Sequence, residues 1–296
     1  MRSPLRQIRM PDAGLRTPAA EAHAESALWK LGWVPSPPHG RAGDVLSRGT
    51  GSSIEFQDHR VYSPGDDVRH LDWRAYARTG ELTVKLYNQE LLPRLDLLYD
   101  ASASMTVADS KAALLLDLVS FFAGVATRQG FAVRLIELSD APRVRELDEF
   151  RVNGCAFDGR QPLAATIEPA TALLRPGTLR MLIGDFLSPH DSAQLVRGLA
   201  ARAGGLALFQ VLAPDDAAPP VGVAYRMQDA ETGEAREIVL SAAVVDDYLA
   251  RLKRLTGSLE TECRRAAARF TSIVSGPTLR DLTRGVFARE GLLVPG

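Results

Sequence analysis

Between residues 94 and 214 short apolar runs alternate with stretches whose hydrophobic positions recur at helical spacing. RLDLLY at 94 to 99 predicts a buried strand ending at Asp100, and SKAALLLDLVSFFAGVATRQG then predicts a helix stopped at Gly130. FAVRLIEL at 131 to 138, LRMLIGDF at 179 to 186 and LALFQVLAP at 206 to 214 predict further strands. PLAATIEPATALLRPG and HDSAQLVRGLAARAGG predict the helices between them. Such alternation implies right-handed crossovers and a mostly parallel sheet with helices on both faces, which makes the fold class α/β.

The flanks carry different patterns. Residues 1 to 39 read as a tail plus one short helix in AEAHAESALWKLGW, closed by the loop-forming PSPPHG. Residues 40 to 93 turn to glycines, charges and short alternating runs, of which ELTVKLYNQELL is the clearest strand, and read as a β-rich subdomain. The α/β domain extends over 94 to 256. Within it VAYRMQDAETGEAREIVL predicts a β-hairpin near 223 to 240, followed by a helix capped by Ser241. Residues 257 to 296 read as a C-terminal helical tail, with basic helical stretches around Cys263 to Phe270 and Leu279 to Phe287.

Composition narrows the function classes. The 296 residues are 46% hydrophobic, enough for a sizeable core, and 35 Lys and Arg against 36 Asp and Glu leave a net charge of -1. No overall field draws the chain to nucleic acid or anionic lipid. The arginines of the C-terminal stretch are diluted by Glu260, Glu262, Asp281 and Glu290 and lack an aromatic platform. Two separated cysteines, Cys155 and Cys263, offer neither a thiolate zinc site nor a disulfide framework, which suits a reducing compartment. Asp117, Arg128 and Arg134 interrupt the apolar runs before the length of a membrane span, and no secretory leader is evident. The expectation is a cytoplasmic protein with no membrane span.

Candidate chemistry concentrates where strands end, since ligands of open α/β sheets bind outside the carboxyl ends of the strands. Asp100, Ser102 and Ser104 alternate along the loop after the first core strand, and Asp185 ends a later one. These are hard oxygen donors suited to a divalent cation, magnesium above all. The competing reading is that they only turn the chain and cap the next helix. Other motifs are weaker. Gly49 to Ser53 lacks the Gly-Lys-Ser/Thr end of a phosphate loop, His59 and His70 have no ligand-like spacing, and Ser102 stands where an aspartyl phosphotransferase would need its second Asp.

The DxSxS pattern at 100 to 104, the later strand-end Asp185 and the alternation between them resemble the von Willebrand factor A fold and its metal-ion-dependent adhesion site. Upstream, EFQDHRVYSPGDDVRHLDWRAYARTGELTVKLYNQE resembles the signature of the domain-of-unknown-function-58 family, whose members carry a von Willebrand A-like domain. The matching residues are Glu55, Phe56, Arg60, Tyr62, Pro64, Gly65, Asp66, Asp67, Arg69, Asp72, Trp73, Ala77, Arg78 and Glu90. GDF at 184 to 186 and the acidic turn DAETGE at 229 to 234 extend the likeness over roughly residues 45 to 250.

The resemblance implies a metal held by Asp100, Ser102, Ser104 and Asp185. The usual middle threonine is not matched, so Gln161 or Thr166 would have to serve there, and Arg160 would bring a positive charge close. It also implies a non-enzymatic interaction module. Its expected partner is a MoxR-type AAA+ ATPase, and the two would act together on a client protein that the sequence does not name. A metal-assisted hydrolase at the same acidic edge, or a scaffold without metal, are the alternatives. Arg60, Tyr62, Asp66, Asp67, Arg69, Asp72, Trp73 and Arg78 read either as a guanidinium-carboxylate network that holds the β-rich subdomain or as a docking surface.

Overall fold

The structure is a computed structural model and describes residues 6–7, 15–33, 54–64, 66, 68–89, 93–228 and 235–296. In chain order its elements begin with β1 (Arg6–Gln7), α1 (Ala20–Glu25), β2 (Trp29–Leu31), β3 (Ile54–Val61), α2 (Trp73–Thr79) and β4 (Thr83–Gln89). They continue with β5 (Arg94–Asp100), α3 (Asp109–Arg128), β6 (Ala132–Leu138), β7 (Arg143–Arg145), α4 (Leu147–Asn153), α5 (Leu163–Thr171) and β8 (Leu179–Gly184). The remainder are α6 (Ser192–Ala200), β9 (Gly205–Leu212), α7 (Pro214–Ala217), β10 (Ala224–Gln228), β11 (Ala235–Val239), α8 (Ala242–Arg265), β12 (Arg269–Val274), α9 (Leu279–Leu282) and β13 (Leu293–Pro295). Two compact units result, one of residues 1–35 with 94–296 and one of residues 36–93.

In the larger unit the apolar runs form a six-stranded sheet of order β12-β9-β8-β5-β6-β7, parallel except for β7. Alternate side chains of the buried strands serve opposite faces. Leu95, Leu97 and Tyr99 pack with Phe121 and Phe122 of α3, whereas Leu98, Leu182 and Leu208 pack with Leu163 and Ile167 of α5 and Leu195 and Leu199 of α6. Burial on both faces explains why β5 and β8 read as continuous apolar runs. The one charged residue inside β5, Asp96, is wholly buried and ion-paired with Arg134 at 3.2 Å and Arg175 at 2.6 Å.

α3 is the one helix among the described residues that is long and apolar enough to cross a membrane, contrary to the expectation that no run reaches that length. It is the core helix instead, with 78% of its apolar window buried within the protein. Asp117, which seemed to interrupt the run, accepts a 2.7 Å hydrogen bond from the Ala19 amide just before α1 and so anchors the N-terminal segment.

The tail expected to be helical after residue 257 differs from that reading. α8 continues to Arg265, and RFTSIV then joins the sheet as edge strand β12, parallel to β9. Thr271 and Ile273 alternate with exposed neighbours, a strand period that three β-branched residues and Phe270 favour. Ala267 makes the reversal between helix and strand with φ 52. The hairpin of residues 223 to 240 forms as β10 and β11, with β1 added in parallel, and belongs to the larger unit. Its acidic turn, 229 to 234, lies outside the described residues.

The smaller unit pairs β3 with β4 in antiparallel register. It also contains α2, where an irregular β segment was expected. Asp72 caps this helix by accepting from the Arg74 and Ala75 amides at 2.9 and 3.1 Å, and Gly80 ends it in the left-handed conformation with φ 72.

Candidate functional site

β6 follows β5 on one side, whereas β8 lies on the other side of β5 and is followed by β9, so the connections leaving the carboxyl ends of β5 and β8 run to opposite sides. Loops diverge at such a switch point and leave a crevice. Asp100 ends β5, and Asp185 directly follows β8. The register that pairs Tyr99 with Ile183 sets Asp100 beside Gly184. A Cβ at Gly184 would lie 3.1 Å from Asp100 Cβ and 2.9 Å from the Leu163 side chain. Gly184→Ala should therefore cost about 1–3 kcal/mol through overpacking beneath Asp100, readable as a lowered urea midpoint.

The four predicted donors do come together. Ser102 Oγ and Ser104 Oγ are hydrogen-bonded at 2.9 Å, and Ser104 Oγ donates to Asp185 Oδ2 at 3.1 Å. Asp100 Oδ1 accepts from the Ser102 amide at 2.9 Å, while its Oδ2 is buried without a hydrogen-bond partner. A buried carboxylate oxygen with nothing to bond is costly, and in native folds it calls for an ion, a water or a proton. Burial, reinforced by the nearby Asp185 charge, pushes the Asp100 carboxyl up to about 7 even though Ser102 and Lys111 offset part of the effect.

Two members of the cluster escaped the sequence reading. Lys111, in the first turn of α3 and 1% exposed, donates to Asp185 Oδ2 at 2.8 Å and to Asp216 Oδ2 at 3.3 Å. Burial and the positive end of the helix dipole both oppose an ammonium there, and the two carboxylates outweigh them, so Lys111 is held above its usual range. Burial alone would also raise Asp185, but the Lys111 ammonium and the Leu187 amide keep it below the usual carboxylate range. A signal existed in the sequence. Lys111 stands on the apolar stripe of α3, four residues before Leu115, and Asp216 follows the end of β9.

Backbone shape supports the arrangement. Phe186 is buried with φ 57, an uncommon conformation for a bulky residue, and the turn it makes brings the Leu187 amide onto Asp185 Oδ1 at 3.1 Å. Gln210, fully buried in β9, donates to the Asp185 carbonyl at 3.0 Å and is itself oriented by Thr256 and Ser272. Gly159 bridges to Ser102, and the Ala103 amide donates to its carbonyl at 2.8 Å. A Cβ at Gly159 would come within 3.1 Å of the Ala101 carbonyl, so a side chain here would crowd the backbone beneath Ser102.

Of the residues considered for the middle position, Thr166 is turned elsewhere. Thr166 Oγ1 donates to the Leu163 carbonyl inside α5, and Gln161 and Arg160 are exposed, with their amides on Asp140 Oδ1. Lys111 places a buried positive charge beside the site. No group of three or more His, Cys, Asp or Glu suited to a metal occurs among the described residues. The donors present at the strand ends are instead two hydroxyls and the unpartnered carboxylate oxygen, with Asp185 alongside. They suit a hard cation, because three carboxylates, Asp100, Asp185 and Asp216, face a single buried ammonium.

Of the signature segment in the smaller unit, Arg60 and Asp66 form an ion pair at 2.8 Å and the Ser63 amide donates to Asp66 at 2.9 Å, so part of the expected network is structural. Arg69 and Asp72 have further interactions there. Tyr62 is half-buried, Trp73 and Arg78 are exposed, and Asp67 lies outside the described residues.

The fold and the strand-end cluster define an α/β protein with a charged, oxygen-lined site at a sheet switch point. The sequence matches the family described as protein of unknown function DUF58 over residues 58–256, and the chain belongs to that family. Uncharacterized proteins of Mycobacterium tuberculosis and Mycobacterium bovis are each 28% identical over 265 residues, covering 84% of this chain and 83% of the relative. Among solved structures, BatB of Bacteroides thetaiotaomicron aligns at TM-score 0.39 and 10% identity, over 67% of this chain and 96% of that one. An aerotolerance-related membrane protein of Bacteroides fragilis aligns at TM-score 0.39 and 12% identity, over 67% and 98%.

Proposed function

We propose that the protein is a non-enzymatic docking module built on a von Willebrand A-like domain, and that it engages its partner through a divalent cation at the ends of β5 and β8. The observation that carries this reading is the buried Asp100 Oδ2, unpartnered beside the hydroxyls of Ser102 and Ser104. Asp100, Ser102 and Ser104 would hold the cation, with Asp185 as the further acidic member. Magnesium fits this set as a hard ion that takes oxygen ligands and retains waters. Bound there, it supplies two positive charges to which a partner carboxylate can attach. Lys111 keeps Asp185 ionised and in place.

The hydrolase alternative would need a carboxylate free to take a proton; Asp185 is tied to Lys111, and Asp100, held up at about 7, is in this reading the ligand of the cation. The family resemblance favours a MoxR-type AAA+ ATPase as the partner and a third protein as client, within the cytoplasm.

Magnesium or manganese titration followed by the melting midpoint tests the cation. Selective binding to the folded state raises the midpoint progressively, with the logarithm of cation concentration once that exceeds Kd. We expect that rise for the unaltered protein and its loss in the Ser102→Ala/Ser104→Ala variant. No rise at millimolar magnesium or manganese would refute the cation site. Co-purification with a MoxR-type ATPase, lost on chelation, tests the partner.

A further inference from the structure

We propose that the outward face of α2 in the smaller unit is a second docking surface, and that it takes an acidic segment of a partner protein with an apolar side chain set between carboxylates. Trp73 is 61% exposed and Tyr76 44%, although both are residue types that normally bury most of their area. They are paired edge to face with centroids 6.3 Å apart and planes at 88°, so the aromatic surface is already ordered.

Arg74 and Arg78 are exposed, and neither forms an ion pair with a described residue. At about 3.6 residues per turn, Tyr76, Trp73, Ala77, Arg74 and Arg78 form one continuous exposed band around the helix, and the half-buried Ala75 lies on the opposite side. Two guanidiniums one turn apart, beside a rigid aromatic pair, form the combination that dominates protein interfaces. Val68, also exposed, lies just before the helix and adds apolar area within the same unit.

Charge decides the occupant. Residues 36–93 hold seven basic and eight acidic side chains, so no extended positive field is present to track a nucleic-acid backbone. Arg74 and Arg78, next to the aromatics, have no ion-pair partner among the described residues, and two guanidiniums beside an aromatic pair match two carboxylates flanking one apolar anchor. α2 presents this band rigidly, because Asp72 caps its start, Gly80 ends it, and the Asp72 amide is tied to the Thr83 carbonyl of β4 at 2.9 Å. A pre-ordered surface loses little entropy on binding.

The test uses the full chain and a synthetic helical peptide of alternating leucine and glutamate turns, followed by fluorine resonances of 5-fluorotryptophan incorporated in the protein. The Trp73 resonance, assigned through Trp73→Phe, should shift saturably with the acidic peptide and remain unmoved by its lysine counterpart. Trp73→Ala, read by labelled peptide, and Arg74→Glu/Arg78→Glu should each weaken binding at least tenfold with an unchanged circular dichroism spectrum. Chelation of divalent cations and Asp100→Asn should leave the affinity unchanged, which separates this surface from the strand-end site. Failure of the acidic peptide to bind saturably overturns the proposal. Equal binding by an oligothymidine, or retention of binding in the Arg74→Glu/Arg78→Glu variant, overturns it as well.

Discussion

Lys111→Met is expected to lower the unfolding free energy by about 3–5 kcal/mol, the usual cost of leaving a buried charge without its partner. Lys111 is 1% exposed and is the ammonium that Asp185 and Asp216 share. Methionine keeps the stem's volume and its packing, so the loss isolates the charge. Urea denaturation at neutral pH measures it. Asp185→Asn in the Lys111→Met background should restore part of the stability, since the amide no longer needs an ammonium. The altered protein should also respond more strongly to magnesium, because a bound ion then supplies the missing positive charge. If Lys111→Met is as stable as the unaltered protein, the ion pair has no structural weight and the account of the site fails.

The second large effect concerns pH. Asp100 titrates near 7 in the folded chain against an ordinary value of 3.8, so between those limits the folded state binds the proton that the unfolded state has released. The stabilising contribution is complete below about 4, declines as pH rises toward 7 and is absent above it. A shift of this size corresponds to roughly 4 kcal/mol at most. Asp100→Asn cannot titrate there. Its stability should lose this part of the pH dependence and exceed that of the unaltered protein at pH values above about 7.

A cation needs the ionised carboxylate, so magnesium affinity should rise with pH up to about 7 and then level off. Urea midpoints at mildly acidic and mildly alkaline pH, with and without magnesium, check both statements. Equal pH slopes for the two proteins would show that Asp100 is not the titrating group.

Both expectations rest on residues of different visibility in the sequence. Asp100, Ser102, Ser104 and Asp185 stood out because an apolar strand run ends immediately before each group, and strand ends of an α/β sheet face a common edge. Lys111 did not, since a lone lysine in a helix is normally solvated. Only the crossover from β5 through α3 brings it to Asp185, 74 residues away. Asp216, in the polar stretch after β9, is set next to Lys111 only by the place of β9 beside β8 in the sheet. The aromatic pair of α2 was legible as composition, whereas its exposure was not, because Asp72 had to cap a helix where irregular strand was expected.

By itself the sequence determined the parallel α/β core and the strand ends that carry oxygen donors, since both follow from local hydrophobic period and from residues adjacent in the chain. The tertiary structure alone decided that β12 is an edge strand, that Thr166 turns into its own helix, and that a buried lysine serves two of three carboxylates. Those outcomes depend on which distant segments become neighbours, and short-range periodicity carries no record of that. A six-residue run at a sheet edge, or one charge on an apolar stripe, acquires its meaning only from the partner that the fold sets against it.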